Sequence, residues 1–191
     1  MPAGIKYDLK GQEVEKELYN VKTGYRLAGG FNIDDSDIDD GQYIPVLAPL
    51  AVDFKTRTAK VSKSVKAVEA INATTLKVQK GSFAKVNMHL GNGTNGATIT
   101  AMDTTNANYD TLTLSVTIAD VKAGDVLFEA KTNAGKVVKN PANFLNYARV
   151  KKEAGATVTA LGQAYEIQTN KLYVPVSDKD KETLGARFMF I

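Results

Sequence analysis

Hydrophobic and polar residues alternate along several short segments of this chain. The clearest is residues 111–118, where Leu112, Leu114, Val116 and Ile118 are separated by threonine or serine. Alternation with period two places one set of side chains on one face, which predicts a strand with a buried face. Similar runs occur at residues 58–68, 75–78, 98–102, 156–161, 164–167 and 171–176. Short strands joined by turns rich in Gly, Asn and Asp predict a mainly β fold, a small β-sandwich or barrel.

Few helices are predicted, and both candidates are short. Asn140 and Pro141 are typical of a helix start, so a helix or turn is expected near residues 140–146 and a strand after it, although the alternation over residues 144–149 also fits a strand. Residues 178–184 predict a second short helix, with Ser177 as its N-cap. The rest of the chain is predicted to be strand, turn or loop.

Three segments predict contacts at edges and termini. Pro45 and Pro49 interrupt residues 43–53, which predicts an edge strand or an extended segment and not a helix or a central strand. The apolar residues 187–191 predict pairing in a sheet or burial in a partner. Residues 1–24 are polar with few apolar anchors, which predicts an arm without a packed core.

Composition narrows the function classes. The formal net charge is only +3, from 24 basic and 21 acidic residues that are mixed along the chain, so nucleic-acid binding is disfavoured. The chain has no cysteine, which excludes disulfides and thiolate metal sites. No signal-peptide core and no apolar run of membrane-spanning length is present. We therefore expect a soluble protein, made in a cytoplasm, with no membrane partner.

One glycine-rich string matches a nucleotide-binding motif letter by letter. Residues 91–96 read G-N-G-T-N-G, as in the G-x-G-x-x-G loop that holds a pyrophosphate at a helix N-terminus. The alternating, β-branched residues 97–100 follow it, where the motif requires a helix. The string therefore predicts a loop between two strands.

The acidic residues 34–41 have a spacing related to that of calcium loops. Asp35, Asp37 and Asp39 match the first, third and fifth ligands of an EF-hand, but Asp40 replaces the required glycine. No helices are predicted on either side. A solvated acidic turn is the favoured interpretation, and a cation site of another kind stays open.

His89 is the single histidine, so a Ser-His-Asp triad or a histidine zinc site would have to use it. It lies in residues 86–90, a predicted strand, where the favoured interpretation is a structural side chain. Paired carboxylates for glycoside hydrolysis stay open, although the absence of tryptophan disfavours a sugar-cleaving cleft. We assign no catalytic, cofactor-binding or metal residue.

Short segments spread over residues 25–191 carry a family resemblance. They are residues 30–35, 45–53, 122–130, 143–149, 155–161, 164–167 and 172–181. They resemble the head-fibre and capsid-decoration proteins of tailed bacteriophages, in particular those of crAss-like and related phages of gut Bacteroidales. The strings are short, and none is a catalytic signature.

The resemblance implies a decoration domain of residues 25–65 and 121–191, an inserted small β subdomain at 66–120 and an N-terminal arm at 1–24. It also implies a non-enzymatic structural protein of the virion, synthesised in the bacterial host cytoplasm. Such a protein would bind the major capsid protein on the outer capsid surface, commonly as a homotrimer. It would stabilise the capsid or present a surface for host attachment. Many fibres carry a long stalk or a distal domain, and this chain ends at Ile191 without one, so a compact decoration protein is expected.

Two other functions stay open. The first is a carbohydrate-binding β-sandwich without catalysis, in which the eight tyrosines line a groove for cell-surface glycans, although tryptophan is absent. The second is a hydrolase that uses His89.

Overall fold

The computed structural model describes residues 17–34, 36 and 38–191. Within this part of the chain, most of the regular structure is strand. The strands are β1 (Asn20–Arg26), β2 (Phe31–Ile33), β3 (Tyr43–Ile44), β4 (Pro49–Asp53), β5 (Thr58–Val61), β6 (Ser64–Lys66), β7 (Thr75–Gln79), β8 (His89–Gly91), β9 (Gly96–Asp103), β10 (Tyr109–Leu114), β11 (Val126–Glu129), β12 (Phe144–Asn146), β13 (Val150–Lys151), β14 (Thr157–Val158), β15 (Ala160–Ile167) and β16 (Phe188–Phe190). A short helix, α1 (Asp178–Leu184), and two 3-10 turns, Thr169–Lys171 and Gly185–Arg187, complete the secondary structure. The predicted mainly β class is confirmed.

The strands form two main sheets. The larger has the order β1-β15-β12-β4-β5-β2-β14, with β16 parallel to β15. The second has the order β6-β11-β8-β9-β10-β7 and is antiparallel throughout. Both sheets are curled. The second sheet uses residues 64–129, whereas strands from both sides of that range build the larger one. The division into a decoration domain and an insert stays a prediction.

Alternating side chains form the core of the second sheet. Leu112 and Leu114 of β10 are buried, as are Leu76 and Val78 of β7, which pairs with it. Burying an aliphatic side chain of this size contributes about 1.5–3 kcal/mol. The predicted strand at 111–118 ends at Leu114, and Ile118 is buried from the loop that follows.

The two prolines predicted an edge strand or an extended segment at residues 43–53, and this prediction is wrong for Pro49–Asp53. β4 is a central strand, paired with β12 on one side and β5 on the other, and not an edge strand. Pro49 is its first residue, a position where the missing N–H of proline is tolerated. The carbonyl of Pro49 still accepts a hydrogen bond from the backbone N–H of Ser62, at 2.9 Å.

The helix expected near residues 140–146 is absent. The chain forms β12 there, which pairs with β4 and β15. The side-chain amide of Asn146 donates to the carbonyls of Pro45 (2.8 Å) and Ala148 (2.7 Å). The pairing with β4 and the contact with Pro45 come from distant parts of the chain, and they outweigh the local signals of Asn140 and Pro141.

Two further predictions are wrong in part. Residues 171–176 do not form a strand. Leu172, Val174 and Val176 are buried from an irregular segment after the first 3-10 turn. The expectation that residues 1–24 lack packed apolar side chains fails at Leu18 and Tyr19, which belong to a buried cluster. Residues 1–16 lie outside the described residues.

The apolar C-terminus pairs in the larger sheet, as predicted. β16 runs parallel to β15, with Phe188 opposite Ala164 and Phe190 opposite Ile167. The backbone N–H of Ile191 donates to the carbonyl of Ile167 at 2.8 Å. Phe188 is buried. The terminal residues are therefore part of the sheet.

A buried carboxylate at α1 joins the two connections between the sheets. Ser177 is the N-cap of α1, as predicted, and its hydroxyl accepts from the backbone N–H of Asp180 at 3.1 Å. The fully buried carboxylate of Asp180 accepts from the hydroxyls of Ser177 (2.7 Å) and Ser62 (2.9 Å) and from the N–H of Ala142 (2.9 Å). Burial raises the pKa of this carboxyl above its usual value. Ser62 lies between β5 and β6, and Ala142 lies between β11 and β12. Asp180 therefore holds both segments that pass from one sheet to the other.

Candidate functional site

The glycine-rich residues 91–96 form the turn between β8 and β9, as predicted. Gly91 ends β8 and Gly96 begins β9, so no helix follows the string. A Cβ atom added at either glycine would overlap the backbone of Gly135. The glycines are therefore needed for the close approach of the loop that follows β11, and the string has no pyrophosphate-binding geometry.

The acidic loop faces lysines. Among the described residues, the carboxylate of Asp39 lies 2.6 Å from Nζ of Lys85, and that of Asp34 lies 3.6 Å from Nζ of Lys60. Asp40 lies 3.6 Å from Nζ of Lys152 in the same way. Two of the three carboxylates with calcium-loop spacing, Asp35 and Asp37, lie outside the described residues.

Within residues 17–34, 36 and 38–191, no group of three or more histidine, cysteine or acidic side chains is arranged to hold a metal ion. The ion pairs with lysine favour the interpretation of this loop as a solvated turn. The possibility of a cation site stays a prediction.

His89 stands at the start of β8, where it belongs to a cross-strand pair. Its Nδ1 lies 2.8 Å from the hydroxyl of Thr98, its partner on β9. Such side-chain pairs are a usual stabilising contact between antiparallel strands. The contact fits the structural role that the sequence favours. The half-buried ring also lines a cavity.

This cavity is the candidate functional site. It has a volume of about 360 Å³ and lies where the β5–β6 connection, the β7–β8 loop and the residues after β11 meet. Its lining includes one carboxylate and four ammonium groups, those of Glu129, Lys63, Lys85, Lys131 and Lys139. The apolar side chains of Phe83, Val86 and Met88 form another part of the wall.

Backbone hydrogen bonds fix the charged wall of the cavity. The N–H of Glu129 donates to the carbonyl of Lys63 at 2.7 Å, and the carbonyl of Glu129 accepts from the N–H of Lys139 at 2.9 Å. The N–H of Ala130 donates to the carbonyl of His89 at 2.7 Å. Lys63, Glu129 and Lys139 are therefore held by strand-like backbone hydrogen bonds.

Glu129 is a buried carboxylate between two lysines. Its Oε1 lies 2.7 Å from Nζ of Lys139, and its Oε2 lies 3.7 Å from Nζ of Lys63. Both Glu129 and Lys63 are almost fully buried, whereas the Lys139 side chain is 42% exposed. Burying charges is unfavourable unless they are paired, so these groups hold one another in place.

This cluster was not predicted, because lysines are spread along the whole sequence and mixed with acidic residues. One signal was available at Lys63. It lies midway between Val61 and Val65, at the inward positions of a period-two run, where a charged residue needs a buried partner. No pattern pointed to Glu129, since its partners come from other parts of the chain.

Comparison with known protein families identifies the family of this chain. The family model described as "Head fiber protein", a phage head fibre family, matches residues 3–185. This chain belongs to the phage head fibre protein family. Membership makes the chain a structural component of the virion.

No curated protein and no solved structure matches the chain. In the described part of this head fibre family member, no helix has the length and apolarity to cross a membrane. The likeness to proteins of crAss-like and Bacteroidales phages stays a prediction.

Proposed function

We propose that this protein binds the outer surface of the phage capsid through the major capsid protein and self-associates as a homotrimer. It would stabilise the capsid or present a surface for host attachment, without catalysis. The observation that carries the proposal is the family match over residues 3–185. The structure adds a surface suited to subunit contacts.

That surface is the outer edge of β1. Among the described residues, β1 pairs only with β15, so its other side faces no strand. Val21 and Tyr25 of β1 are 68% and 62% exposed. Unpaired strand edges with apolar side chains favour association with another chain.

Capsid binding is tested with phage capsids that lack this protein. Purified protein should co-sediment with them at a fixed ratio to the major capsid protein, and it should sediment as a trimer by itself. Protein that stays monomeric and does not bind such capsids contradicts the proposal.

The role of the β1 edge is tested with a matched pair of valines. We expect Val21→Ser to weaken self-association or capsid binding by about tenfold, because a buried valine contributes about 1.5 kcal/mol or more. Val116→Ser is the control, since Val116 is similarly exposed but follows β10 of the second sheet. Equal effects of the two substitutions would show that β1 is not the interface. His89→Ala should leave both properties unchanged.

A further inference from the structure

We propose that the cavity lined by Lys85, Lys131 and Glu129 binds the carboxylate of an acidic sugar. This inference goes beyond capsid attachment and does not depend on it. It rests on the charge, the size and the lining of the cavity.

The accessible charges of the cavity are positive. The side chain of Lys131 is exposed and forms no ion pair with the described residues. Lys85 is about one-third exposed and is paired with Asp39, whose side chain is itself 68% exposed. The one lining carboxylate, Glu129, is buried beneath the lysines. A ligand that enters therefore meets ammonium groups first, which favours an anion.

The size and the apolar wall favour an organic anion. A volume of about 360 Å³ lies in the range of small-molecule sites, and an inorganic anion would leave most of it empty. Val86 lines the cavity and is 48% exposed, so it presents apolar surface next to the charges, beside the nearly buried Phe83 and Met88. The C–H face of a sugar ring can pack on such a surface.

Polar groups suited to hydroxyls lie beside the apolar wall. Asn87 and His89 both line the cavity. Asn87 has a positive φ of 72°, and its backbone N–H donates to the carbonyl of Ile99 at 2.8 Å, so its position is fixed by β9. A ring that carries both a carboxylate and hydroxyls therefore complements the whole cavity.

The test measures binding of glucuronate to the full-length protein by NMR titration at low salt. We expect a dissociation constant of about 1 mM, as is reasonable for one sugar unit with few charged contacts. Glucose should not bind, because it lacks the carboxylate. Raising the salt concentration should weaken the binding of glucuronate.

Two lysines of one loop provide the matched variants. Lys131→Gln should weaken glucuronate binding by about tenfold, because a charge-assisted contact is lost. Lys136→Gln is the control, since Lys136 is exposed in the same loop but does not line the cavity. Unchanged thermal unfolding of both variants would establish that the fold is intact.

The proposal is overturned by no binding of glucuronate, by equal binding of glucose, or by equal loss in the two lysine variants. Inorganic phosphate that binds as tightly as glucuronate at the same site would refute the sugar and leave only a general anion site. None of these outcomes bears on capsid attachment, which is measured separately with capsids.

Discussion

Replacement of Asp180 by alanine removes the one carboxylate that joins both connections between the sheets. Three donors lose their acceptor, the hydroxyls of Ser62 and Ser177 and the N–H of Ala142. Each buried donor left without a partner costs about 1–3 kcal/mol. Part of this cost is offset, because the variant no longer buries a charge. We expect Asp180→Ala to lower the free energy of unfolding by about 3–5 kcal/mol.

Asp180→Asn is the matched control, since it keeps the size of the side chain and removes only the charge. The amide oxygen can still accept from the N–H of Ala142, and the amide N–H₂ can donate to the hydroxyl of Ser177. We expect this variant to lose about 1 kcal/mol at neutral pH. If the alanine variant does not fold, the asparagine variant still tests the reasoning.

Because the carboxyl of Asp180 can be protonated or ionised, the free energy of unfolding should depend on pH, and the sign of this dependence follows from the direction of the pKa shift. Burial raises the pKa of Asp180 in the folded protein, so the folded state binds this proton more tightly than the unfolded state. The stability that this group contributes is complete below the unfolded pKa and is lost as the pH rises through the folded pKa. The wild-type protein should therefore gain stability relative to Asp180→Asn as the pH falls through the raised folded pKa toward the unfolded value.

Urea unfolding followed by circular dichroism and tyrosine fluorescence measures these differences across a pH series. The slopes with urea should agree among the three proteins, so that the free energies can be compared. An alanine variant within about 1 kcal/mol of wild type would refute the buried-acceptor reasoning. A wild-type to asparagine difference that does not change with pH would refute the raised pKa.

Three further tests of packing and pairing use urea unfolding. Gly96→Ala should lower the free energy of unfolding by about 3 kcal/mol or more, because its Cβ overlaps the backbone of Gly135. The control Gly81→Ala has open space around its Cβ and a φ of 75°, and it should lower that free energy by only about 1–2 kcal/mol. Equal losses in the two variants would contradict the contact with Gly135. Lys63→Met should cost about 2–4 kcal/mol, and the double variant with Glu129→Leu should cost less than the sum of the two single changes; additive costs would argue against the ion pair. Ser177→Ala should cost about 1–2 kcal/mol through loss of the N-cap, and no loss would show that the cap is unimportant.

Local rules succeeded where one short segment contains the whole signal. The alternation in β7 and β10 predicted their buried faces, and Ser177 as an N-cap predicted the start of α1. The residues after the string 91–96 excluded a helix. In each case, the pattern follows from the geometry of a single strand, helix or turn.

Local rules failed where distant partners decided the outcome. Residues 140–146 carry good helix-start signals, yet residues 144–146 pair with β4 and β15 as a strand, and the side-chain N–H₂ of Asn146 donates to the carbonyl of Pro45 in a distant loop. Pro49 begins a central strand because the first position of a strand tolerates proline. Neither result could be predicted from the residues next to these positions.

The sequence by itself determined the mainly β class, the turns and the N-cap of α1, because these depend on side-chain periodicity and local hydrogen bonding. Only the tertiary structure brought Lys63, Glu129 and Lys139 together in a cavity, and only it placed Asp180 between both connections of the sheets. The physical reason is that burial and charge pairing depend on residues far apart in the chain. Their proximity is set by the order of the strands, which no local pattern encodes.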